Sequence, residues 1–253
     1  MNEIDIRFYE ELNDFLPQER RKVTFHHRFN GNPSVKHVIE SLGVPHVEVD
    51  LVLINGISVD FSCRLRDGDR VSVYPMFESL DIRPLQRLRS EPLRVVRFIA
   101  DSHLGRLARH LRLLGFDTLW EVDYSDPEIV ELAEREKRII LTCDREMLKN
   151  GRVTHGYWIR SANPEAQLKE VLVRFDIRNP QTLFTRCLEC NTPLETVNKE
   201  DIDYRLEPLT RKYYSDFRHC RDCDRIYWKG SHYERLLKFA EDMLASLSPP
   251  SVR

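Results

Sequence analysis

The chain has 253 residues, of which 41% are hydrophobic and 32% are charged, and its formal net charge is −2. This length suits two or three small domains, and the near-neutral charge excludes a protein that holds nucleic acid through its overall charge alone. Because no apolar run is long enough to cross a bilayer and the N-terminus, MNEIDIRFYEEL, lacks the pattern of a signal peptide, we expect a cytoplasmic protein that does not bind a membrane.

Residues 1–80 predict a small sheet with one helix. The segments IDIRFYEEL and KVTFHHRF read as strands, and SVKHVIESLGV has helical spacing that ends at Gly43. A hairpin follows around Asn55-Gly56, and LRDGDRVSVYPMF supplies a turn and a last strand. This order of elements is typical of a β-grasp domain.

The segment VLINGISVDFSCRLRDGDRVSVYP resembles the late hairpin and last strand of the ubiquitin-like sulfur-carrier proteins of thiamine and molybdopterin synthesis. Those carriers end in a Gly-Gly tail that is activated as a thiocarboxylate. The corresponding stretch here, MFESLDIRP, has no glycine and the chain continues. We therefore expect a docking or regulatory module with a protein partner, and a sulfur carrier stays as an alternative. Residues 81–92 read as a linker.

Residues 93–178 alternate strand and helix patterns. The strands are LRVVRFIA, FDTLWEV, RIILTC and THGYWIR, and the helices are SHLGRLARHLRLLG, SDPEIVELAEREK, DREMLKN and NPEAQLKEVLVRF. Repeated βα units predict a doubly wound parallel sheet, so the fold class is α/β. Between Arg83 and Arg112 there are eight arginines and two acids, an excess that suits phosphate contact or a solvated helix face.

Three aspartates fall at strand ends or helix starts of this predicted sheet. Asp101 ends the first strand, Asp126 opens the second helix, and Asp144 ends the third strand. Chemistry in such sheets collects at the carboxyl ends of the strands, and a divalent cation relieves the repulsion of convergent carboxylates. Arg106 and Arg109 are candidates to bind the flanking phosphates. The alternative is that each aspartate is an ordinary helix cap.

Residues 179–246 contain two Cys-x₂-Cys pairs separated by 29 residues, Cys187 with Cys190 and Cys220 with Cys223. Four thiolates at this spacing predict a structural Zn²⁺ in a ribbon, with a redox pair or an iron–sulfur cluster as the alternatives. The tyrosines, Trp228 and basic residues of this block are candidates to contact RNA or to pack the small core of the ribbon. The last helix is expected to begin with a capping box formed by Ser231 and Glu234. Cys63 and Cys143 are expected to be free thiols, and His219 is expected to be a surface residue.

The segments RFIADSHLGRLARHLRLLGFDTLW, SDPEIVELAEREKRIILTCD and HCRDCDRIYWKGSHYERL together resemble the Mut-seven C-terminal family of ribonucleases. The resemblance implies a PIN-like nuclease domain, a C-terminal zinc ribbon and, in some members, an N-terminal ubiquitin-like domain. It implies catalytic acids at Asp101, Asp126 and Asp144 that bind Mg²⁺ or Mn²⁺. Cys143 stands where a basic residue is expected, and the neighbouring Arg145 is a candidate phosphate contact. The candidates for a fourth acid are Asp123, Glu128 and Glu146.

The pattern as a whole predicts a metal-dependent ribonuclease with RNA as its substrate. A non-catalytic RNA-binding adaptor, with the same fold and a structural zinc ribbon, is the alternative.

Overall fold

The structure is a computed structural model that describes residues 1–75, 96–177 and 182–247. The chain divides into two compact units, each built from two separate stretches. Unit 1 contains Met1–Val95 and Val130–Trp158, and unit 2 contains Val96–Ile129 and Ile159–Arg253. The predicted linker, residues 81–92, lies outside the described residues, as does the stretch MFESLDIRP. The proposed domain boundaries stay predictions.

The elements of the first described stretch are β1 (Asn2–Phe8), β2 (Phe25–Phe29), α1 (Val35–Ser41), β3 (Leu51–Ile54), β4 (Ile57–Val59) and β5 (Arg70–Tyr74). The second stretch contains β6 (Phe98–Ala100), α2 (Gly105–Leu113), β7 (Thr118–Leu119), α3 (Asp126–Glu136), β8 (Ile139–Thr142), β9 (Gly156–Trp158) and α4 (Pro164–Arg174). The third contains β10 (Glu195–Val197), α5 (Lys199–Ile202), α6 (Pro208–Tyr213), β11 (Phe217–His219), β12 (Ile226–Trp228) and α7 (Ser231–Ala245).

The N-terminal sheet of unit 1 has the order β2-β1-β5-β3-β4 among the described residues. Strands β1 and β5 are parallel, whereas the other neighbouring pairs are antiparallel. Alternate residues of β1, namely Ile4, Ile6 and Phe8, are buried in the core, as expected for a sheet with one covered face. The sheet and its single helix confirm the predicted β-grasp arrangement.

Local sequence signals account for the connections in this sheet. The Ser34 Oγ accepts a hydrogen bond from the His37 N–H at 3.3 Å and caps α1. Between β3 and β4, Asn55 and Gly56 have φ values of 53° and 82°. Two successive positive φ values are the requirement of a type I′ hairpin turn, which is why the Asn-Gly pair predicts this turn from the sequence.

The remainder of unit 1 contains β8 and β9, which are parallel, and packs against the β-grasp domain. The His46 Nε2 lies 2.9 Å from the Val153 carbonyl oxygen in a buried contact. The Trp158 N–H donates to a Glu48 carboxylate oxygen at 2.6 Å, and the Trp158 ring lies 4.9 Å from the Phe15 ring. Unit 1 is therefore one packed body made of the β-grasp domain and part of the α/β segment.

In unit 2, β6 and β7 are parallel and all three residues of β6 are buried. Helix α2 packs against β6, β7 and α4. The side chain of Asn163 caps α4 by accepting from the Glu165 and Ala166 N–H groups. The described strands between residues 98 and 158 thus form parallel pairs separated by helices, which confirms the parallel α/β prediction for the central block.

The C-terminal part of unit 2 is a sheet of order β10-β11-β12, antiparallel throughout, with a small core of Ile202, Leu206 and Phe217. The predicted capping box at α7 is wrong. Gly230 occupies the N-cap position without a side-chain hydrogen bond, and Ser231 is the first helical residue. A Cβ on Gly230 would lie 2.8 Å from the Trp228 Nε1, so a larger residue there would require the Trp228 ring to shift. In the described part of the chain, none of the helices has the length and apolarity needed to cross a membrane.

Candidate functional site

The four cysteines of the ribbon form one compact cluster. The sulfur atoms of Cys187, Cys190, Cys220 and Cys223 all lie within 4.8 Å of one another. The closest sulfur pairs are Cys187 with Cys223 at 3.4 Å and Cys190 with Cys220 at 3.3 Å. A tetrahedral zinc site with Zn–S bonds of about 2.3 Å separates its sulfurs by about 3.8 Å. The donor set and spacing fit one Zn²⁺, so these four cysteines can bind zinc.

The environment of these thiols sets how readily they ionise. Burial, reinforced by the Cys187 thiol, raises the pKa of Cys223 to about 12. For Cys190, burial is outweighed by contacts with Thr192, which lower its pKa to about 7. Because zinc is bound by thiolates, a bound ion displaces the proton of Cys223 at neutral pH.

Tyr227 supports the cluster from outside the ligand set. Its phenol oxygen lies 3.1 Å from the Cys187 Sγ and accepts from the Leu188 N–H at 3.3 Å. Burial, together with the neighbouring Cys187, raises the pKa of Tyr227, so the phenol stays protonated. A neutral phenol here can donate to the Cys187 thiolate, which is the kind of contact that orients metal ligands.

Arg112 connects the first cysteine pair to the α/β segment. It is 1% exposed and donates through Nε to the Thr118 carbonyl at 2.9 Å. Its Nη1 donates to the carbonyls of Leu188 at 3.2 Å and Glu189 at 2.6 Å, and its Nη2 donates to that of Trp120 at 3.4 Å. The sequence placed Arg112 in an arginine-rich stretch that suits phosphate contact or a solvated helix face, but its buried side chain donates to backbone carbonyls of the zinc knuckle.

Asn191, directly after the first cysteine pair, is a second residue that sequence reasoning missed. Its side-chain oxygen accepts from the Thr118 N–H at 3.0 Å, and its amide group donates to Asp117 at 2.8 Å. Its φ is 71°, a conformation that asparagine tolerates better than most residues. An asparagine immediately after a Cys-x₂-Cys pair is the signal that could have identified a left-handed turn there.

Arg106 and Arg109 line a cavity of about 550 Å³ in unit 2, together with His103 and Gln167. Arg109 donates to a Glu189 carboxylate oxygen at 2.8 Å. Arg106 is exposed, and its side chain forms no ion pair or hydrogen bond with any residue that the structure describes. The two predicted phosphate contacts therefore share one cavity, in which Arg109 already has a partner.

Asp101 directly follows the buried strand β6 and is itself 6% exposed. One carboxylate oxygen accepts from the His103 N–H at 2.9 Å, so Asp101 is the cap of the short 3₁₀ turn that precedes α2. Capping is thus one role of Asp101, as the helix-cap alternative expected. A carboxylate offers two acceptor oxygens, whereas a Ser or Thr cap offers a single hydroxyl.

Asp126 is the first residue of α3 and is exposed. The cap of this helix is Ser125, whose N–H and Oγ both contact the Glu128 carboxylate, at 2.9 and 2.5 Å. The hydrogen bonds from Ser125 lower the pKa of Glu128. Glu128, a candidate fourth acid, is therefore engaged in a capping box, whereas Asp126 and the exposed Asp123 are not part of it.

Asp144, in unit 1, follows β8 and is exposed. Its carboxylate accepts from the Glu146 N–H at 2.8 Å, and its own N–H donates to the Thr142 hydroxyl at 2.8 Å. The carboxylate of Glu146 accepts from Lys149 at 2.6 Å. The Arg145 guanidinium stacks 3.7 Å from the Trp158 ring centroid. This loop presents a carboxylate beside a stacked cation at the carboxyl end of a buried strand.

The cysteines outside the ribbon and His219 follow the sequence expectations. Cys63 is partly buried against the β-grasp core and Cys143 is exposed. His219 pairs with Asp224 at 2.7 Å rather than with the cysteine cluster.

Comparison with known proteins gives two family matches. The model described as "Mut7-C RNAse domain" matches residues 96–240, and the model described as "Mut7-C ubiquitin" matches residues 1–81. A protein from Homo sapiens named "Exonuclease mut-7 homolog" is 35% identical over 106 residues, which are 40% of this chain and 12% of that protein. The chain thus matches only a small part of the length of that relative. No solved structure matches the chain.

Proposed function

Because the chain belongs to the family of the Mut7-C RNAse domain, we propose that it is a metal-dependent ribonuclease that hydrolyses phosphodiester bonds in RNA. The observation that carries this proposal is the match over residues 96–240, which supports a nuclease role. The named relative, an exonuclease homologue, supports the same class of reaction. Beyond the nuclease role, we propose three things: that the substrate is RNA, that cleavage depends on a divalent metal, and which residues form the site.

Asp101, Asp126 and Asp144 are the proposed ligands of Mg²⁺ or Mn²⁺. Carboxylate oxygens are the donors that these hard cations prefer, and each aspartate stands at a strand end or a helix start, as the fold requires of a site residue. When bound, such a cation supplies an activated water and stabilises charge on the phosphodiester. The capping contacts of Asp101 and Asp144 hold each carboxylate in one orientation before a ligand arrives.

Arg106 and Arg109 are the proposed phosphate contacts. The exposed Arg106 is available to an incoming phosphate, whereas Arg109 must exchange or share its ion pair with Glu189. Arg145, stacked on Trp158, is a third proposed contact, since a stacked guanidinium keeps a fixed plane against which a phosphate can align.

The β-grasp domain is proposed to bind a protein partner. The match of residues 1–81 to a ubiquitin model supports this proposal, because a ubiquitin-like domain suggests interactions with other proteins. Part of its surface, around His46 and Glu48, already packs against residues 153–158 of the same unit. The partner is therefore expected on the remaining surface of the domain.

The test is cleavage of labelled RNA by the purified full-length chain in Mg²⁺ or Mn²⁺. We expect cleavage that EDTA stops and that Asp101→Asn lowers by about 10²-fold or more, with Asp201→Asn, an exposed aspartate of the ribbon, as the matched control. Equal cleavage by wild type and Asp101→Asn indicates a contaminating nuclease and contradicts the proposal.

The adaptor alternative has a specific observation in its favour, because Asp101 and Asp144 each cap local backbone. An adaptor binds the same RNA without cleaving it in either metal. The cleavage assay, run beside a binding assay, therefore separates the two functions.

A further inference from the structure

A second cavity, which shares Arg109, Leu188 and Glu189 with the one at Arg106, lies within unit 2 around the edge strand β12 and the start of α7. Its volume is about 1340 Å³, and residues of the ribbon, of α6 and of α7 line it. Small-molecule sites usually measure about 300–1,000 Å³. A groove of this size on a small ribbon suits a segment of a polymer better than a metabolite. We call it the ribbon groove.

Aromatic side chains are exposed along the ribbon groove. Trp228 is 39% exposed and Tyr213 is 67% exposed, although the core of the ribbon is already filled by Phe217 and its aliphatic neighbours. Tyr233 of α7 lines the same groove and packs against Phe184 in a tilted arrangement, with their ring centroids 4.1 Å apart. Exposed rings that do not complete a core are surfaces on which nucleic-acid bases can stack.

The charge of the groove favours an anionic occupant. Its basic lining residues outnumber the acidic ones; they are Arg109, Arg186, Lys199, Arg218, Arg225 and Lys229, against Glu189, Glu200 and Asp216.

Not every cation of the groove is equally available. Glu189 already pairs with Arg109 at 2.8 Å and with Arg225 at 3.6 Å. Arg218 and Lys229 are both exposed, and Arg218 uses one guanidinium nitrogen to donate to the Phe184 carbonyl at 2.8 Å. A guanidinium has five N–H donors, so Arg218 keeps others for a phosphate.

We propose that the ribbon groove binds single-stranded RNA, with bases stacked on Trp228 and Tyr213 and phosphates held by Arg218 and Lys229. This inference rests on the proposed function, because it assigns the groove to the strand that the nuclease cuts. Stacking on rings and contact with phosphates tolerate any base sequence, so binding here is largely independent of sequence. Single strands fit this chemistry because their bases are free to leave the helical stack.

The test measures the dissociation constant of a fluorescein-labelled, single-stranded oligoribonucleotide by fluorescence anisotropy. The protein is the full-length, zinc-loaded chain carrying Asp101→Asn, so that the probe is not cut. We expect Trp228→Ala and Tyr213→Ala each to raise the dissociation constant roughly 5- to 150-fold, the equivalent of about 1–3 kcal/mol per stacked base. The control is Tyr204→Ala, because Tyr204 is 80% exposed on the same ribbon but does not line the groove.

A second measurement tests the phosphate contacts. Lys229→Gln is expected to lower the slope of log affinity against log salt concentration by about 0.7, the share of one phosphate on a single strand. Lys238→Gln, an exposed lysine of α7 outside the groove, is expected to leave the slope unchanged. Zinc content and circular dichroism verify that each variant is folded, and Tyr213→Ala removes so exposed a ring that misfolding is not expected.

Unchanged affinity in both aromatic variants overturns the inference and points to a protein segment as the occupant of the groove. An equal loss in Tyr204→Ala overturns it as well, because the effect then belongs to the whole surface. If the groove variants lose affinity but the chain with Asp101 intact does not cleave RNA in Mg²⁺ or Mn²⁺, the ribbon groove stands and the nuclease proposal fails. If the chain cleaves RNA but the groove variants bind RNA as tightly as the wild type, the nuclease proposal stands and the ribbon groove fails.

Discussion

Substitution of Arg112 by methionine tests how the zinc knuckle is held to the α/β segment. Arg112 is 1% exposed and donates to carbonyls of Thr118, Leu188 and Glu189 at 2.9, 3.2 and 2.6 Å. Its fourth contact, with Trp120 at 3.4 Å, is long and is expected to contribute little. Methionine fills most of the same space but cannot donate a hydrogen bond, so the substitution removes donors with little change in volume.

The expected loss follows from the three short contacts. A buried carbonyl without a donor costs about 1–3 kcal/mol, and the lower value applies where water can reach part of the site. Three carbonyls at about 1 kcal/mol each predict a decrease of about 3 kcal/mol in the free energy of unfolding. For a chain of this size, that loss lowers the melting temperature by about 6–12 °C.

Two assays check the expectation. Urea unfolding gives the stability, and transfer of zinc to a chromogenic chelator gives the release rate, which is expected to rise because Leu188 and Glu189 lie inside the first Cys-x₂-Cys pair. Arg106→Met on the same helix is the control. Because the Arg106 side chain is exposed, its replacement is expected to change the free energy of unfolding by no more than about 0.5 kcal/mol. A loss below about 1 kcal/mol for Arg112→Met, or an unchanged rate of zinc release, would refute the reasoning.

Three further expectations concern the metal, a buried amide and a buried histidine. Elemental analysis is expected to find one zinc ion per chain that is lost in Cys220→Ser and kept in Cys143→Ser; zinc retained in Cys220→Ser excludes the four-cysteine site. Asn191→Ala deprives the Thr118 N–H of its acceptor and is expected to lower the unfolding free energy by about 1–3 kcal/mol in urea, whereas a change below about 0.5 kcal/mol contradicts the contact. Burial lowers the pKa of His110 in the folded chain below its ordinary 6.5, so the unfolded chain binds more protons and stability falls as the pH drops below about 6.5. His110→Leu is expected to reduce this loss of stability at low pH. Identical plots of urea midpoint against pH for the wild type and the variant would contradict the assignment to His110.

The β-grasp sheet and the cysteine cluster could be predicted because their signals are local. Alternation along β1 and the Asn55-Gly56 pair specify a strand and a turn within a few residues. Each Cys-x₂-Cys pair provides two zinc ligands. Because a tetrahedral zinc ion needs four, the two pairs are expected to lie together.

The contacts of Arg112 with the zinc knuckle could not be predicted, because Leu188 and Glu189 lie 76 and 77 residues away along the chain. Its spacing from Arg106 and Arg109 placed it on the same polar helix face, and periodicity alone does not tell a solvated arginine from a buried one that donates to carbonyls. The carboxylates show a related limit. A helix cap and a metal ligand need the same residue at the same strand end, so the sequence names Asp101 without distinguishing its roles.

Two local signals were interpreted wrongly or overlooked. Ser231 and Glu234 have capping-box spacing, but the helix begins one residue earlier, with Gly230 at the N-cap position beside the Trp228 ring. The same spacing in Ser125 and Glu128 does bring the Glu128 carboxylate back to the Ser125 N–H, as in a capping box, although Glu128 is predicted from the sequence only as a candidate acid. Spacing therefore identifies candidates, and the packing of the residue before the helix decides between them.

The interleaving of the two units has a consequence for synthesis on the ribosome. The β-grasp sequence emerges before residues 130–158, so the surface around His46 that contacts Val153 stays uncovered until that later stretch has left the exit tunnel. Unit 2 begins before unit 1 is complete, and both of its cysteine pairs are synthesised after residue 158, the last residue of unit 1. The nascent chain thus passes through an interval with two unfinished bodies, and this is when chaperones and misassembly compete for it.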